Sequence, residues 1–301
     1  MILTIGARKS ELARMQAQSV GEAITKLNPE IKVQYIFSSS AGDNDQDRAL
    51  SAFGDKGAFT SDFYQGLLDE DYDIVVHSWK DLPTEPRQGT HVAATLHRED
   101  PRDVLLYKKS HIRQHRGNQG ADQAVFLTSS PRREHNLKSF FQEYLPFVIE
   151  DPVFEPIRGN IQTRIRKFMN NTAADGLIVA KAALDRLLTT TNEEYEAVRA
   201  EIKGALEQLQ IMVLPLNVNP SAAAQGGLAL EIKNGRGSLK KLLNRLNHKL
   251  HFSCIAEERR ILAGYGGGCH QKIGVTVVPS SQGYVTFTRG ETQSGVSLDS
   301  I

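Results

Sequence analysis

The chain has 301 residues, 40% hydrophobic and 24% charged, and its 36 Lys and Arg against 35 Asp and Glu leave a formal charge of +1. That length suits two or three modest domains, and that balance excludes a bulk electrostatic pull on nucleic acid, so any anion site must come from local placement. With only Cys254 and Cys269 there is no disulfide framework and no zinc spacing. No apolar stretch approaches the roughly 18 residues of a membrane span, and "MILTIGARKS" has no leader pattern, so a cytoplasmic protein with free thiols and no bound metal is expected.

In chain order, "ILTIG" reads as a strand and "SELARMQAQSVGEAITKL" as a helix with Leu12, Met15, Val20, Ile24 and Leu27 on one face. "IKVQYIF" alternates like a strand, "FTSDFYQGLLDE" is a helix, and "YDIVVHS" is a continuous apolar strand of the type buried in a parallel sheet. This βαβαβ pattern predicts an open α/β layer. The middle repeats the theme: strand "AVFLTSS", helix "PRREHNLKSFF" with Pro131 near its first turn, strand "FVIEDP", basic helix "RGNIQTRIRKFMN", then strand and helix in "DGLIVAKAALDRLL". An amphipathic piece from Thr191 to Gln210 precedes "MVLPLNVNPSAAAQGGLALEI", where Pro215, Pro220, Gly226 and Gly227 mark a connection or hinge. "SLKKLLNRLNHKLHFSCIAEERRILAGY" gives two helices in series, and the tail reads as the short strands "IGVTVVP", "GYVTFTRG" and "GVSLDSI".

Chemistry-bearing residues gather where strands end and helices begin. Arg8 stands at a strand end beside Ser10, Arg132 and Arg133 follow Ser129 and Ser130, Arg158 and Arg164 bracket a helix start, and Arg186 follows "AALD". Such positions expose backbone N–H groups and the positive helix end, and Arg adds a fork that grips a carboxylate or phosphate twice. A single Arg there reads first as a solvated helix face; the pair beside two serines reads as an anion site. Asp81 follows a buried strand, at the sheet edge where open α/β folds hold their sites. It reads equally as a catalytic carboxylate and as a turn cap before Pro83. His77 reads as a packed strand residue. "FGDKGAF" lacks the spacing of a phosphate loop and reads as a surface turn or a lid carrying Lys56 and Phe59. In "YGGGCHQKIG" three glycines clear space in front of Cys269, which on spacing alone reads as an inert loop thiol.

Taken together, "GARKSELARMQ", "GDKGAF", "DIVVHSWKDLP", "REDPRDVLL", "TSSPRR", "IRGNIQTRIRK", "DGLIVAKAALDRL", "AAQGGLALEI" and "GGGCHQKIG" resemble, in order, the hydroxymethylbilane synthase (porphobilinogen deaminase) family. The resemblance implies a transferase of tetrapyrrole (haem) biosynthesis. Four porphobilinogen molecules are deaminated and joined head to tail on a dipyrromethane held in thioether linkage by Cys269, and water then releases linear hydroxymethylbilane. It implies that Asp81 is the catalytic aspartate, facing pyrrole nitrogens and stabilising the cationic methylene-pyrrolenine. Carboxylates of cofactor and substrate fall to Arg8, Ser10, Lys80, Arg98, Thr128, Ser130, Arg132, Arg133, Arg158, Arg164 and Arg186. Lys56 and Phe59 map to a loop over the cleft, and Gln16, Ser78 and Gln225 are further candidates.

The implied fold is α/β with three domains. Two lobes like type II periplasmic binding proteins, with chain crossovers, span 1–98 plus 222–246 and 103–218; a small α+β domain, 249–301, carries the cysteine. A monomer with a functional link to uroporphyrinogen-III synthase is expected. The chain departs from the family pattern at Leu127, Pro131, Ala224 and Lys272, reads "SAGD" where the family has an Arg before Asp43, and shows no closing helix. This suggests a divergent member, cut from a longer or fused protein. The alternatives are a weak or inactive relative that binds tetrapyrroles, and a two-lobed anion-binding module.

Overall fold

The computed structural model describes residues 1–39, 60–117, 121–267 and 271–301. The chain opens with β1 (Ile2–Arg8), α1 (Glu11–Leu27), β2 (Lys32–Ser38), α2 (Ser61–Leu68), β3 (Ile74–Ser78), a single 3-10 turn (Trp79–Asp81) and β4 (Thr90–Ala94). It continues through β5 (Asp103–Lys108), α3 (Lys109–Gly117), β6 (Ala121–Leu127), α4 (Pro131–Tyr144), β7 (Ile149–Glu155) and α5 (Ile161–Asn170). Then come β8 (Gly176–Ala180), α6 (Lys181–Thr189), α7 (Glu196–Leu206) and β9 (Leu209–Val213). The last elements are β10 (Leu228–Lys233), α8 (Gly237–Leu246), α9 (Lys249–Gly264), β11 (Gly274–Ser280), β12 (Gly283–Glu291) and β13 (Ser297–Ser300). Among the described residues no helix is long and apolar enough to cross a membrane.

Two compact units result. The first comprises Met1–Glu99, Ala223–Cys269 and Val277–Val285; the second comprises Asp100–Ala222, His270–Thr276 and Thr286–Ile301. In the first, the sheet runs β2-β1-β3-β10-β4, with β1 parallel to β2 and β3 and β10 antiparallel to β3 and β4. In the second, it runs β7-β6-β8-β5-β9, with β6 parallel to β7 and β8 and β5 antiparallel to β8 and β9. Each sheet therefore has the same order: second, first, third, a strand brought in by a chain crossing, fourth. This is the two-lobed α/β architecture with crossovers that the family resemblance implies. A third sheet, β11-β12-β13, is built from strands whose residues are shared out between the two units.

Local sequence explains the elements. On α1, Met15, Ala17, Val20 and Ile24 are buried, an i, i+3, i+4 spacing that lays one stripe on the sheet. The central strands β3 and β8 are buried along their length, which is why they read as unbroken apolar runs. Pro152 sits in β7 at a sheet edge, where a missing N–H costs no ladder bond. Pro131 is the first residue of α4 behind Ser130, a position where helices tolerate proline, so that departure from the family pattern fits. Leu127, another departure, ends β6 as a buried core residue. In the second unit Phe126 lies tilted against Phe141, ring centroids 4.3 Å apart, within a core that includes Leu105, Leu137 and Ile178.

The structure adds strands that the sequence pattern does not mark. The stretch read as a connection begins on the last residues of β9 and ends inside β10, and β10 is an inner strand of the first sheet. Its residues Leu228–Ile232 are buried on both faces and so show no alternation. β4 and β5 also stand where no element was expected.

Candidate active site

In the first unit, parallel β1 and β3 end at the same sheet edge, and this edge presents Arg8, Ser78, Lys80 and Asp81. Arg8 Nη1 lies 3.9 Å from Asp81 Oδ2, with both side chains roughly a quarter to a third exposed. A pair this open and this long contributes about 0–1 kcal/mol, so it is readily exchanged for ligand contacts. Gln16 and Ser78 hydrogen-bond each other at 3.0 and 3.2 Å, and Lys80 Nζ donates to Gln225 Oε1 at 3.4 Å. Arg8, Gln16, His77, Ser78 and Asp81 line one recess. Ser10 precedes α1 without a side-chain cap bond to it.

His77 is indeed a packed strand residue, with Nε2 3.0 Å from Glu231 Oε2. Burial works to raise the Glu231 carboxyl, but the bonds from His77 and Thr90 outweigh it and hold it below its ordinary value. The turn that carries Asp81 is pinned from α9: Arg259 Nη1 donates to Leu82 O at 3.1 Å and Trp79 O at 3.3 Å, and Nη2 donates to Pro83 O. Nothing in the spacing of the sequence announces that anchor.

Arg98 is buried and committed inward. Its Nη1 and Nη2 donate to Glu258 Oε1 and Oε2 at 2.6 and 2.9 Å, and Nε donates to Gln225 O at 2.9 Å. Glu258 also accepts the N–H groups of Ala224 (2.7 Å) and Val277 (2.8 Å). Ala224, one of the departures, has φ +70°, the region that favours glycine. At the end of α9, Gly266 and Gly267 have φ of +94° and +64°, and a Cβ on Gly267 would stand 2.2 Å from Thr84 Oγ1. Two of the three glycines before Cys269 are therefore required by the backbone path itself.

In the second unit, Thr128, Ser129 and Ser130 follow β6. Ser129 Oγ bridges Ile157 O and N at 2.7 and 2.9 Å, tying this turn to the segment that carries Arg158. Asn160 caps α5 by accepting from Thr163 N–H at 2.8 Å, and Arg164 Nε donates to Gly159 O at 2.8 Å. Arg186 lies in the last turn of α6. Arg132 and Arg133 are buried at the start of α4, both against Asp103. Lys272, a further departure, pairs with Glu291 at 2.6 Å. Lys56, Phe59 and Cys269 lie outside the described residues. The other thiol, Cys254, is buried in α9; burial, seconded by Glu258, pushes it up, so it is poorly suited to nucleophilic work.

His97, His248 and His251 bring three ring nitrogens within 4.8 Å of one another, a cluster absent from the sequence reading. Arg98 N–H donates to His251 Nδ1 at 2.9 Å and His251 N–H to His248 Nδ1 at 3.3 Å. Both bonds put the proton of the neutral ring on Nε2, so a metal ligated there would have to displace it. Burial, His248, His97 and Arg98 together lower His251 to about 4.

A carboxylate on the C-terminal edge of a mixed α/β sheet, an arginine 3.9 Å from it, and a repeated sheet topology define a two-lobed α/β protein. The particular family follows from comparison: the family described as "Porphobilinogen deaminase, dipyromethane cofactor binding domain" matches residues 3–241. A porphobilinogen deaminase of Syntrophomonas wolfei is 37% identical over 289 residues, 96% of this chain and 84% of the relative. Those of Chromobacterium violaceum (34%, covering 90% and 78%) and Dictyostelium discoideum (32%, covering 90% and 76%) are similar to it as well. The chain belongs to the porphobilinogen deaminase family.

Proposed function

We propose that the chain carries out the porphobilinogen deaminase reaction, joining four porphobilinogen molecules head to tail with loss of one ammonia per join. Water then frees the linear hydroxymethylbilane. The observation that carries the reading is Asp81 beside Arg8 on the sheet edge of a chain from this family. The donor set suits the dipyrromethane, whose four carboxylates call for fixed cations and hydroxyls rather than metal ligands or an apolar slot. Attached through Cys269, that group would supply the free pyrrole carbon that takes up the first unit, and each later unit would join the ring added before it.

The remaining work falls to the chain. Arg8, Lys80 and Ser10 bind carboxylates in the first unit; Arg132, Arg133, Arg158, Arg164, Arg186, Thr128 and Ser130 bind them in the second. Asp81 stabilises the positive charge that develops on porphobilinogen as its amine departs, an electrostatic role suited to a carboxylate held by a pinned turn. Gln16 and Ser78 orient each other beneath it, and Gln225 orients Lys80. Arg98 serves carboxylates less than the Arg132–Arg133 pair does, because Glu258 neutralises its guanidinium one to one whereas Asp103 is shared by two arginines. Lys56 and Phe59 serve as a loop over the bound chain, and residues 249–301 as the cofactor-attachment domain. The protein works as a cytoplasmic monomer, and a uroporphyrinogen-III synthase takes the product.

The test is Asp81→Ala. The variant keeps its covalent pyrroles, read by intact mass, while ammonia release from porphobilinogen falls by about 10²–10³-fold, the scale of losing one electrostatic contact to a transition state. Ammonia release at the parent rate overturns the role given to Asp81.

A further inference from the structure

One buried carboxylate in the second unit holds the arginine pair without belonging to the set that meets substrate. Asp103, the first residue of β5, is fully buried. Its Oδ2 accepts from Arg132 Nη2 (2.7 Å), Arg133 Nε (3.1 Å) and Asn219 Nδ2 (2.9 Å); its Oδ1 accepts from Arg133 Nη2 (2.7 Å). The ring closes through Arg132 Nη1, which donates to Asn219 Oδ1 at 2.8 Å and Pro220 O at 2.7 Å, and Arg133 Nη1 donates to Ile178 O at 3.0 Å. Burial by itself would raise the Asp103 carboxyl, but Arg133 and Arg132 reverse this and hold it far below the usual carboxylate range.

The charges do not cancel. Two guanidiniums share one carboxylate, so the cluster keeps one net positive charge in a buried setting. Arg132 Nε is buried without a partner among the described residues, and one turn along the same helix both amide atoms of the buried Asn136 lack one as well. Buried charge and the orphaned donors Arg132 Nε and Asn136 Nδ2 are costly until an anion meets them. Without the carboxylate the two guanidiniums would repel and separate. With a second carboxylate they would be neutral and useless to an anion.

We propose that Asp103 is the positioning residue of this enzyme's anion site: with Asn219 it locks Arg132 and Arg133 into one rigid fork and leaves the fork a single unspent charge for a carboxylate. The inference rests on the reading that these arginines serve carboxylates. Asp103 itself touches neither substrate nor cofactor; it acts by fixing where the cation sits, the preorganisation that separates a strong site from two loose side chains.

The experiment compares Asp103→Asn, Asn219→Ala and Arg132→Gln in the full chain. Three readouts are used: urea midpoint, intact mass for covalent occupancy, and KM against kcat in the occupied fraction. Asp103→Asn keeps the shape but removes the charge that pins the fork. In folded material, occupancy falls below half, and KM rises roughly tenfold with kcat changed less than about threefold, the signature of lost binding shared by ground and transition states. Asn219→Ala keeps every charge and only loosens Arg132, so it covers the case in which Asp103→Asn does not fold; a KM increase of about threefold or more is expected. If Arg132→Gln raises KM while folded Asp103→Asn and Asn219→Ala match the parent in KM and occupancy, the positioning role is wrong. If Arg132→Gln itself leaves KM unchanged, the arginine reading fails and takes the inference with it.

Discussion

Replacing Glu258 by Gln probes a buried carboxylate of the first unit that accepts four bonds. Each of its oxygens accepts one Arg98 N–H and one backbone N–H: Oε1 from Nη1 and Val277, Oε2 from Nη2 and Ala224. Whichever way a glutamine amide turns, its NH2 faces two donors. One backbone N–H then loses its acceptor, at about 1–3 kcal/mol. The larger loss is electrostatic, because Arg98 keeps a buried charge with no counter-ion, and breaking such a pair costs about 3–5 kcal/mol. The two overlap, so a total near 4 kcal/mol is expected, a large share of the 5–15 kcal/mol typical of a folded domain. With a urea slope of about 2–3 kcal/mol per M, the unfolding midpoint falls by roughly 1.3–2 M. Combining Glu258→Gln with Arg98→Met in a double-mutant cycle isolates the pair, with a coupling of about 2 kcal/mol or more expected. A midpoint shift under about 0.3 M for Glu258→Gln would refute the reasoning, since it would mean that the four bonds are not made in the folded protein.

Two further outcomes follow from backbone strain and from charge. Ala224→Gly relieves a left-handed alanine worth about 1–2 kcal/mol, but it gives up a buried methyl worth about 0.8 and gains chain entropy in the unfolded state, so stability changes by less than about 1 kcal/mol. Ala224→Val places a branched Cβ at φ +70° in a filled cluster with Trp79, Leu82 and Ile255 and costs about 2–4 kcal/mol by chemical denaturation; an unchanged midpoint contradicts it. In acid, Asp103 contributes stability that is fully present above its unfolded value near 4 and is lost as pH falls below that, because its folded value is depressed. Urea midpoints measured from about pH 6 to 3 fall less steeply for Asp103→Asn than for the parent, and parallel profiles argue against the paired carboxylate.

Much of the scaffold was readable because burial leaves marks of a fixed period. The α1 stripe and the unbroken runs of β3 and β8 are local signals, and the structure returns them. β10 was read as part of a connection because a strand buried on both faces within a glycine- and proline-rich setting carries no alternation. Its place beside β3 comes from a pairing more than a hundred residues away in the chain. The site divides in the same way. Arg8, Asp81 and the Arg132–Arg133 pair announce themselves by where strands end. Asp103, Asn219, Glu258 and Arg259 do not, because their partners lie 29, 116, 160 and 177 residues distant. Ala224 shows both sides: the sequence marks it as a departure from glycine, and only the backbone shows what it costs.

In the proposed reaction a thioether at Cys269 tethers the growing pyrrole chain, and the intact mass of the purified protein reads that bond. The parent is expected to weigh more than its sequence by two linked pyrrole units, and Cys269→Ser to have the bare mass and no activity. Active parent protein of bare mass, or a serine variant that works as well as the parent, would contradict it.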